Sequence, residues 1–386
     1  MKNGQKTLCL LYPTGIVGTM ELFKEIGMIP RTAAQNGFDC TIACYADASV
    51  PPVWEGVKIK VFRRRCGLPL ARALTRHFGM ILWTLVNASY FDYAVVIHSS
   101  RASLMLARIY RFRNRAGKLY FKSDLSTAFL DSICSSPKSL SVFERLVETS
   151  NITGVETSRM VDAAKALFLG RPEISGKILL IPNGFEPFGR AAYLADRRYK
   201  ERSILYVGHV GTEAKNSDLL LSAFERIADT GWKLILVGPI AENFKKKLDD
   251  MILRRPGLIV AAGPVLDRET LYSFYRSASI FCLTSRWESF CYALLEAAYF
   301  DDYLVSTDVG VVRDIIENGA PGEICEATPE SVASALKNAI NKIESGDVQI
   351  NNAEIRKKYA WAAVFGSIIE YSAEVTTVFS SARNNA

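Results

Sequence analysis

Two glutamates eight positions apart, Glu288 and Glu296, stand in the segment Thr284-Ser285-Arg286-Trp287-Glu288-Ser289-Phe290-Cys291-Tyr292-Ala293-Leu294-Leu295-Glu296-Ala297-Ala298. The apolar run before it, residues 278–283, reads as a buried parallel strand. A helix is expected to start near Ser289, leaving Glu288 in the turn and Glu296 about two turns up. The first N–H groups of such a helix are unpaired and suit an anionic phosphate. A carboxylate just before them can grip sugar hydroxyls. A second, roughly 10 Å along at ~1.5 Å per residue, can reach a ribose. A sugar carried on a nucleoside diphosphate has all of these parts. A Glu-x7-Glu spacing also arises by chance on wet helix faces. Here Ala293, Leu294, Ala297 and Ala298 make the helix largely apolar, so its carboxylates do not belong to a routine solvent face.

Other turns offer supporting chemistry. Val207-Gly208-His209-Val210-Gly211-Thr212-Glu213-Ala214-Lys215 follows a strand-like run and precedes a helix-like one. Its glycines allow close backbone approach, and Lys215 offers a cation to a diphosphate. Gly238-Pro239 and Gly263-Pro264-Val265 end the next two strands and either shape a nucleobase pocket or simply turn the chain. Nearer the start, Gly15 and Gly18 lie at the first strand-to-helix turn. They do not make a GxGxxG fingerprint, and no acidic residue closes the next strand, so a dinucleotide-dependent oxidoreductase is disfavoured. His98 ends one strand and Lys122-Ser123-Asp124 ends another, where side chains face a cleft or cap a turn.

Those turns need two sheets to hold them. Residues 7–12, 39–45, 57–62, 93–98, 118–122, 154–158 and 177–181 read as strands with helical stretches between. The turn-rich stretch 182–189 and a polar, basic segment to Arg202 follow. A second series comes after it, at 203–207, 233–237, 258–261, 278–283, 303–306 and 322–325. Alternation of this kind predicts an α/β protein of two Rossmann-like, doubly wound parallel-sheet domains. Their facing strand ends would frame an interdomain cleft. The domains are expected at 1–185 and 186–361, with a final helix, about 362–386, packing back on the first. Residues 380–386 read as a frayed tail.

The chain has 386 residues, 49% of them hydrophobic and 23% charged, enough to bury two cores. Its eight cysteines form no CxxC pair, which fits reduced thiols and a cytoplasmic setting. Three histidines far apart in sequence argue against a metal cluster, so no metal is expected. Residues 2–6 lack a signal-peptide core, and the apolar stretch around 78–86 is too short to span a bilayer. Charge is uneven: residues 1–190 hold 25 Lys+Arg against 14 Asp+Glu, whereas 191–386 hold 22 against 26. Arg63, Arg64, Arg65, Arg72, Arg76, Arg101, Arg108, Arg111, Arg113, Arg115 and Lys118 alternate with Leu68, Leu70, Leu74, Phe78, Ile81, Leu82 and Trp83. Such a surface suits an anionic membrane face or serves solubility. No nucleic-acid motif accompanies it, so nucleic acid is not an expected partner.

Taken in order, several of these pieces resemble a known family. They are Ile181-Pro182-Asn183-Gly184-Phe185-Glu186, Leu205-Tyr206-Val207-Gly208 with Lys215, and Leu236-Val237-Gly238-Pro239. Gly263 with residues 271–281, then 284–290, Leu295-Glu296-Ala297 and Ser306-Thr307-Asp308-Val309-Gly310 complete the set. The chain is similar over residues 180–320 to retaining glycosyltransferases of the GT-B fold, family 4 (glycosyltransferases group 1). Tyr359-Ala360-Trp361 resembles that family's closing segment. The resemblance implies a nucleotide-sugar donor as co-substrate, no cofactor and no metal. It implies that Glu288 holds the donor sugar and that amides near Ser289, Phe290 and Cys291 bind the diphosphate. Glu296 would hold the ribose and Lys215 would neutralise the phosphates, with Gly208, His209, Gly263 and Val265 around the donor. Gly15, Gly18, His98, Lys122 and Asp124 would serve the acceptor side, with Asp124, Glu288 and Lys215 as the catalytic candidates. The acceptor is expected to be a glycan or lipid-linked intermediate of the cell envelope, met at the inner membrane face. Alternatives are a nucleotide-sugar epimerase of the same fold and a non-catalytic scaffold. Two residues depart from the family: His209 stands where arginine is frequent, and Cys291 where glycine is. The charge a histidine carries falls as pH rises above about 6.5, so donor binding is expected to weaken there. A cysteine at 291 either narrows the sugar pocket or shifts the backbone.

Overall fold

The computed structural model describes residues 4–63, 76–188 and 200–384. Arg64, Arg65, Leu68, Leu70, Arg72, Leu74 and the segment 189–199 lie outside the described residues. The chain divides into two compact units, Met1–Gly184 with Trp361–Ala386, and Phe185–Ala360.

The first unit is built on an eight-stranded sheet. Its strands are β1 (Thr7–Val17), β2 (Asp39–Ala46), β3 (Val53–Trp54), β4 (Val57–Val61), β5 (Tyr93–Ile97), β6 (Lys118–Lys122), β7 (Ile152–Val155) and β8 (Ile178–Leu180). They lie in the order β3-β4-β2-β1-β5-β6-β7-β8, all parallel except the short edge strand β3. The central strands are continuous apolar runs such as Tyr93-Ala94-Val95-Val96-Ile97, because helices cover both faces of a parallel sheet. β1 runs five residues past its expected end, with an irregular register between Tyr12 and Val17. β7 starts and stops earlier than expected, so Glu156 falls in the turn that follows it. The helices α1 (Glu25–Gln35), α2 (Phe78–Asn87) and α3 (Arg101–Arg113) flank this sheet.

The second unit carries a six-stranded parallel sheet. Its strands are β9 (Ser203–Val207), β10 (Lys233–Val237), β11 (Ile259–Gly263), β12 (Ile280–Leu283), β13 (Tyr303–Thr307) and β14 (Gly322–Cys325), in the order β11-β10-β9-β12-β13-β14. The helices that matter for its site are α4 (Ser217–Glu225), α5 (Arg268–Ser277) and α6 (Tyr292–Tyr299). One cluster of buried side chains fills this unit, centred on Tyr206, Phe224, Trp232, Tyr272, Tyr275 and Phe281. The last helix, α7 (Trp361–Asn384), belongs to the first unit, where the Phe365 ring meets Phe38 edge-on with centroids 5.6 Å apart. The expected frayed tail is helical as far as Asn384, since no glycine or proline follows Gly366.

In each sheet the strand order reverses at one place, between β1 and β5 in the first unit and between β9 and β12 in the second. Beyond the carboxyl ends of the strands at such a reversal, open α/β sheets leave a crevice for ligands.

Candidate functional site

At the second sheet's reversal, the loop after β9 meets the loop after β12. Lys215 Nζ donates to Glu288 Oε1 at 2.5 Å, and Ser285 Oγ donates to the same oxygen at 2.6 Å. The two loops are laced together. Arg286 N donates to Ala214 O at 2.7 Å, Thr284 Oγ1 to Asn216 O at 3.2 Å, and Thr307 Oγ1 to Ser285 O at 2.7 Å. Burial works against the charge on Lys215, but Cys291 and the Glu288 carboxylate outweigh it and raise its pKa above the ordinary lysine value. Lys215 and Glu288 are therefore held as an ion pair whose side chains are 21% and 13% exposed, shielded yet reachable.

The helix begins three residues later than its sequence suggested. Cys291, with φ 76° and ψ 83°, is the cap residue before α6, so Glu296 is the fifth residue of the helix, one turn up rather than two. Cys291 thus keeps the left-handed conformation that glycine adopts freely, at a cost of about 1–2 kcal/mol for an L-residue. Its backbone has not moved out of that region; what the cysteine adds is a buried thiol, pushed by burial up to about 12. Close packing fixes this turn from the other side. A Cβ on Gly310 would come within 2.4 Å of Phe290 O, and Val311 N donates to that same oxygen at 2.9 Å.

Glu296 is buried. Tyr275 OH donates to its Oε2 at 2.7 Å and Arg268 Nη1 to its Oε1 at 3.2 Å. Both partners come from α5, where seven residues, two helical turns, set them on one face. Burial disfavours the Arg268 charge, but Glu296 outweighs it and raises the pKa. The two donors leave lone pairs on both carboxylate oxygens. Around this core, Gly208 (φ 156°) and Gly238 (φ 134°) touch backbone to backbone: a Cβ on Gly238 would sit 2.0 Å from Gly208 O. Gly263 is left-handed at φ 71° and its carbonyl accepts from Gly238 N at 2.8 Å. Val265 is half-buried against the core, and the His209 ring is exposed. Ser289 is half-buried and Phe290 buried in the turn.

The first sheet's reversal gathers a second cluster. His98 Nε2 lies 3.2 Å from Asp124 Oδ2, and His98 Nδ1 is 2.9 Å from Thr14 Oγ1. Both His98 (φ 64°) and Asp124 (φ 55°) are left-handed, a costly conformation that clusters at functional positions. The Tyr12 ring stands edge-on to the imidazole, and Gly15 is pressed against Tyr12, where a Cβ would meet the phenol oxygen at 2.5 Å. Gly18 is not part of this cluster; its N–H donates to Glu21 Oε2 at 2.9 Å. Lys122 corrects another expectation. It does not face a cleft but is buried, donating to Glu156, whose Oε1 and Oε2 also accept from Asp124 N and Leu125 N, each at 3.1 Å. Burial alone would discharge Lys122; the Glu156 carboxylate more than offsets this and raises its pKa.

Sequence reading missed Glu156, Ser285, Arg268, Tyr275 and Thr14. The spacing of Arg268 and Tyr275 on one face of a helix was a usable signal; nothing local marked the others. Among the described residues, no group of three or more His, Cys, Asp and Glu is placed to hold a metal ion, and no helix is long and apolar enough to cross a membrane.

Residues 195–359 match the protein family described as glycosyl transferases group 1. A probable sucrose-phosphate synthase of Thermosipho melanesiensis is 25% identical over 203 residues, covering 49% of this chain and 46% of that protein. The phosphatidyl-myo-inositol mannosyltransferase of Mycobacterium tuberculosis is 26% identical over 204 residues, covering 49% of this chain and 52% of that one. The chain thus spans about half the length of the curated relatives it matches. Among solved structures, Anabaena HepE in complex with UDP and glucose superposes with a TM-score of 0.67 at 16% identity, covering 94% of this chain and 98% of HepE.

Proposed function

We propose that this chain, which has the GT-B fold and whose second domain belongs to the glycosyl transferases group 1, moves a sugar from a nucleoside-diphosphate sugar to an acceptor hydroxyl with retention and without a metal. The observation that carries the reading is the Lys215–Glu288 ion pair at the reversal of the second sheet, with the left-handed Cys291 turn and Glu296 beside it.

The arrangement suits a donor in three ways. A diphosphate would draw Lys215 away from Glu288, so one ligand both takes the cation and frees the carboxylate for sugar hydroxyls. The amides of the turn Ser289-Phe290-Cys291 supply neutral donors to phosphate oxygens. Glu296, pre-oriented by Tyr275 and Arg268, has acceptor capacity left for the two ribose hydroxyls. In the retaining route, the anomeric carbon–phosphate oxygen bond breaks as a bond to the acceptor oxygen forms on the same face. The departing phosphate oxygen takes the acceptor proton. Stabilising the charge that builds on that diphosphate is the chain's main contribution, through Lys215 and the turn amides. His98 and Asp124, in the first domain, are the proposed acceptor-side pair, with Gly15 close by.

The acceptor we propose is a lipid-linked or polysaccharide intermediate of the cell envelope, handled at the inner face of the membrane. The mannosyltransferase relative, named for a phosphatidyl-myo-inositol acceptor, and the basic first domain support it. A thermal-shift screen against a panel of nucleotide sugars tests the donor. A ligand at a hundred times its Kd adds roughly 2.7 kcal/mol of stability. A flat response to every donor overturns the reading. Donor turnover with no acceptor present favours an epimerase, and donor binding with neither transfer nor hydrolysis favours a scaffold.

A further inference from the structure

The helix α2 has an anomaly that the donor site does not explain. It contains no charged residue, yet one stripe of it faces water: Phe78, Leu82, Leu85 and Val86, spaced to share a face, are all exposed, Val86 to 64%. Its inward side is covered by the buried Met80 and Thr84. A water-facing stripe on an ordinary surface helix carries charges instead. The stripe does not stand alone. Arg113 Nε, at the end of α3, donates to Leu85 O at 3.0 Å, and Asn114 Nδ2 donates to Ala88 O at 3.1 Å, fastening the end of α3 beside the end of α2. The exposed face of α3 is Arg101, Arg108 and Phe112, the last 75% exposed, with Arg113 and Arg115 at its end. Across residues 76–118 there are seven Lys and Arg and one acid, Asp92. That acid is engaged by Thr7, through the backbone N–H at 3.0 Å and the hydroxyl at 2.9 Å.

We infer that the exposed face of α2 and the arginine row of α3 together form a docking surface for an anionic lipid bilayer. The inference deepens the membrane part of the reading above and does not depend on the donor site. Two separate interactions act together. Phe78, Leu82, Leu85 and Val86 insert among the headgroups and upper acyl chains, while Arg108, Arg113 and Arg115 meet the lipid phosphates. Stable attachment of a peripheral protein generally needs two such signals. Charge selects the occupant. A second copy seated on this face by a two-fold axis would bring two arginine rows together with no acid between them, which repels. A bilayer carrying negative headgroups supplies both the apolar layer and the counter-charge in one plane.

Flotation of the full chain with vesicles tests this. Vesicles of phosphatidylcholine are compared with vesicles containing added phosphatidylglycerol. The wild type is expected to float with the anionic vesicles and to release as salt rises. Arg108→Ala with Arg115→Ala is expected to weaken binding about 25-fold, at about fivefold per arginine. Leu82→Glu with Val86→Glu is expected to abolish it. All four positions are exposed, and nucleotide-sugar binding, measured in parallel, is expected to stay at the wild-type level in both variants, which separates this inference from the donor reading. Equal flotation with neutral and anionic vesicles overturns it. So does wild-type binding by the Glu variant, or a dimer by light scattering that this variant dissolves.

Discussion

Each domain places a lysine–glutamate pair at the carboxyl end of its sheet, next to a residue forced into the left-handed region, and burial gives the two pairs different roles. Lys122 and Glu156, in the first domain, have side chains 2% and 0% exposed, and Glu156 also accepts from the Asp124 and Leu125 amides. The pair holds the turn that presents Asp124 to His98, and its burial keeps it from solvent. Lys215 and Glu288, in the second domain, are partly exposed, and the donors given to the Glu288 carboxylate are two side chains, the Lys215 ammonium and the Ser285 hydroxyl. The same two side chains are thus a structural clamp in one setting and a ligand-ready pair in the other. A buried charge must keep its partner, whereas a half-shielded one can exchange it.

The largest break in the comparison is Glu156→Ala. It strips the buried Lys122 of the carboxylate that keeps it charged, so the lysine must either hold an unpaired charge or give up its proton, and chemical denaturation is expected to show a loss of about 3–5 kcal/mol. Lys215→Ala should do the reverse: about 1 kcal/mol of stability, nearer the surface value than the buried one, but a fall of about 10²–10³ in the transfer rate with saturating donor. A comparable stability loss in both variants would erase the distinction.

A third pair sharpens it. Lys200 donates to the wholly buried Asp302, and burial raises that carboxyl from its ordinary value to about 7. Its Oδ2 has no hydrogen-bond partner among the described residues. Because the folded state holds this proton more tightly than the unfolded chain, the contribution is full below about pH 4 and is lost as pH rises to about 7, by at most about 4 kcal/mol. Asp302→Asn is therefore expected to flatten the stability profile between those limits; an unchanged slope in denaturation curves contradicts it. The smallest effect is expected from Cys291→Gly, where release of left-handed strain of about 1–2 kcal/mol is offset by loss of a buried side chain. The net change in unfolding free energy should stay within about 1 kcal/mol.

The strands and the two-domain layout were legible because parallel strands covered on both faces leave continuous apolar runs, and residues 93–97 or 280–283 admit little else. The Glu288 turn was legible for the same reason: it follows such a run. The start of α6 was not, because a cysteine gives no sign that its backbone is left-handed. Glu156 was hidden by a strand placed two residues too late. Its partnership with Lys122, 34 positions away, and that of His98 with Asp124 exist only once the strand order is known. Lys122 misled for a related reason, since a residue at a strand end can turn inward when a carboxylate waits there.

The account rests on Glu288 and Glu296 gripping different parts of one donor. Calorimetric titration of the wild type, Glu288→Ala and Glu296→Ala with a nucleoside diphosphate and with the matching nucleotide sugar tests this directly. Loss of the ribose contact in Glu296→Ala should weaken both ligands alike, while Glu288→Ala should weaken the nucleotide sugar and leave the free diphosphate bound at least as tightly as in the wild type, since Lys215 then has no carboxylate to leave. Wild-type affinity for the nucleotide sugar in Glu288→Ala, or for the free diphosphate in Glu296→Ala, would contradict it.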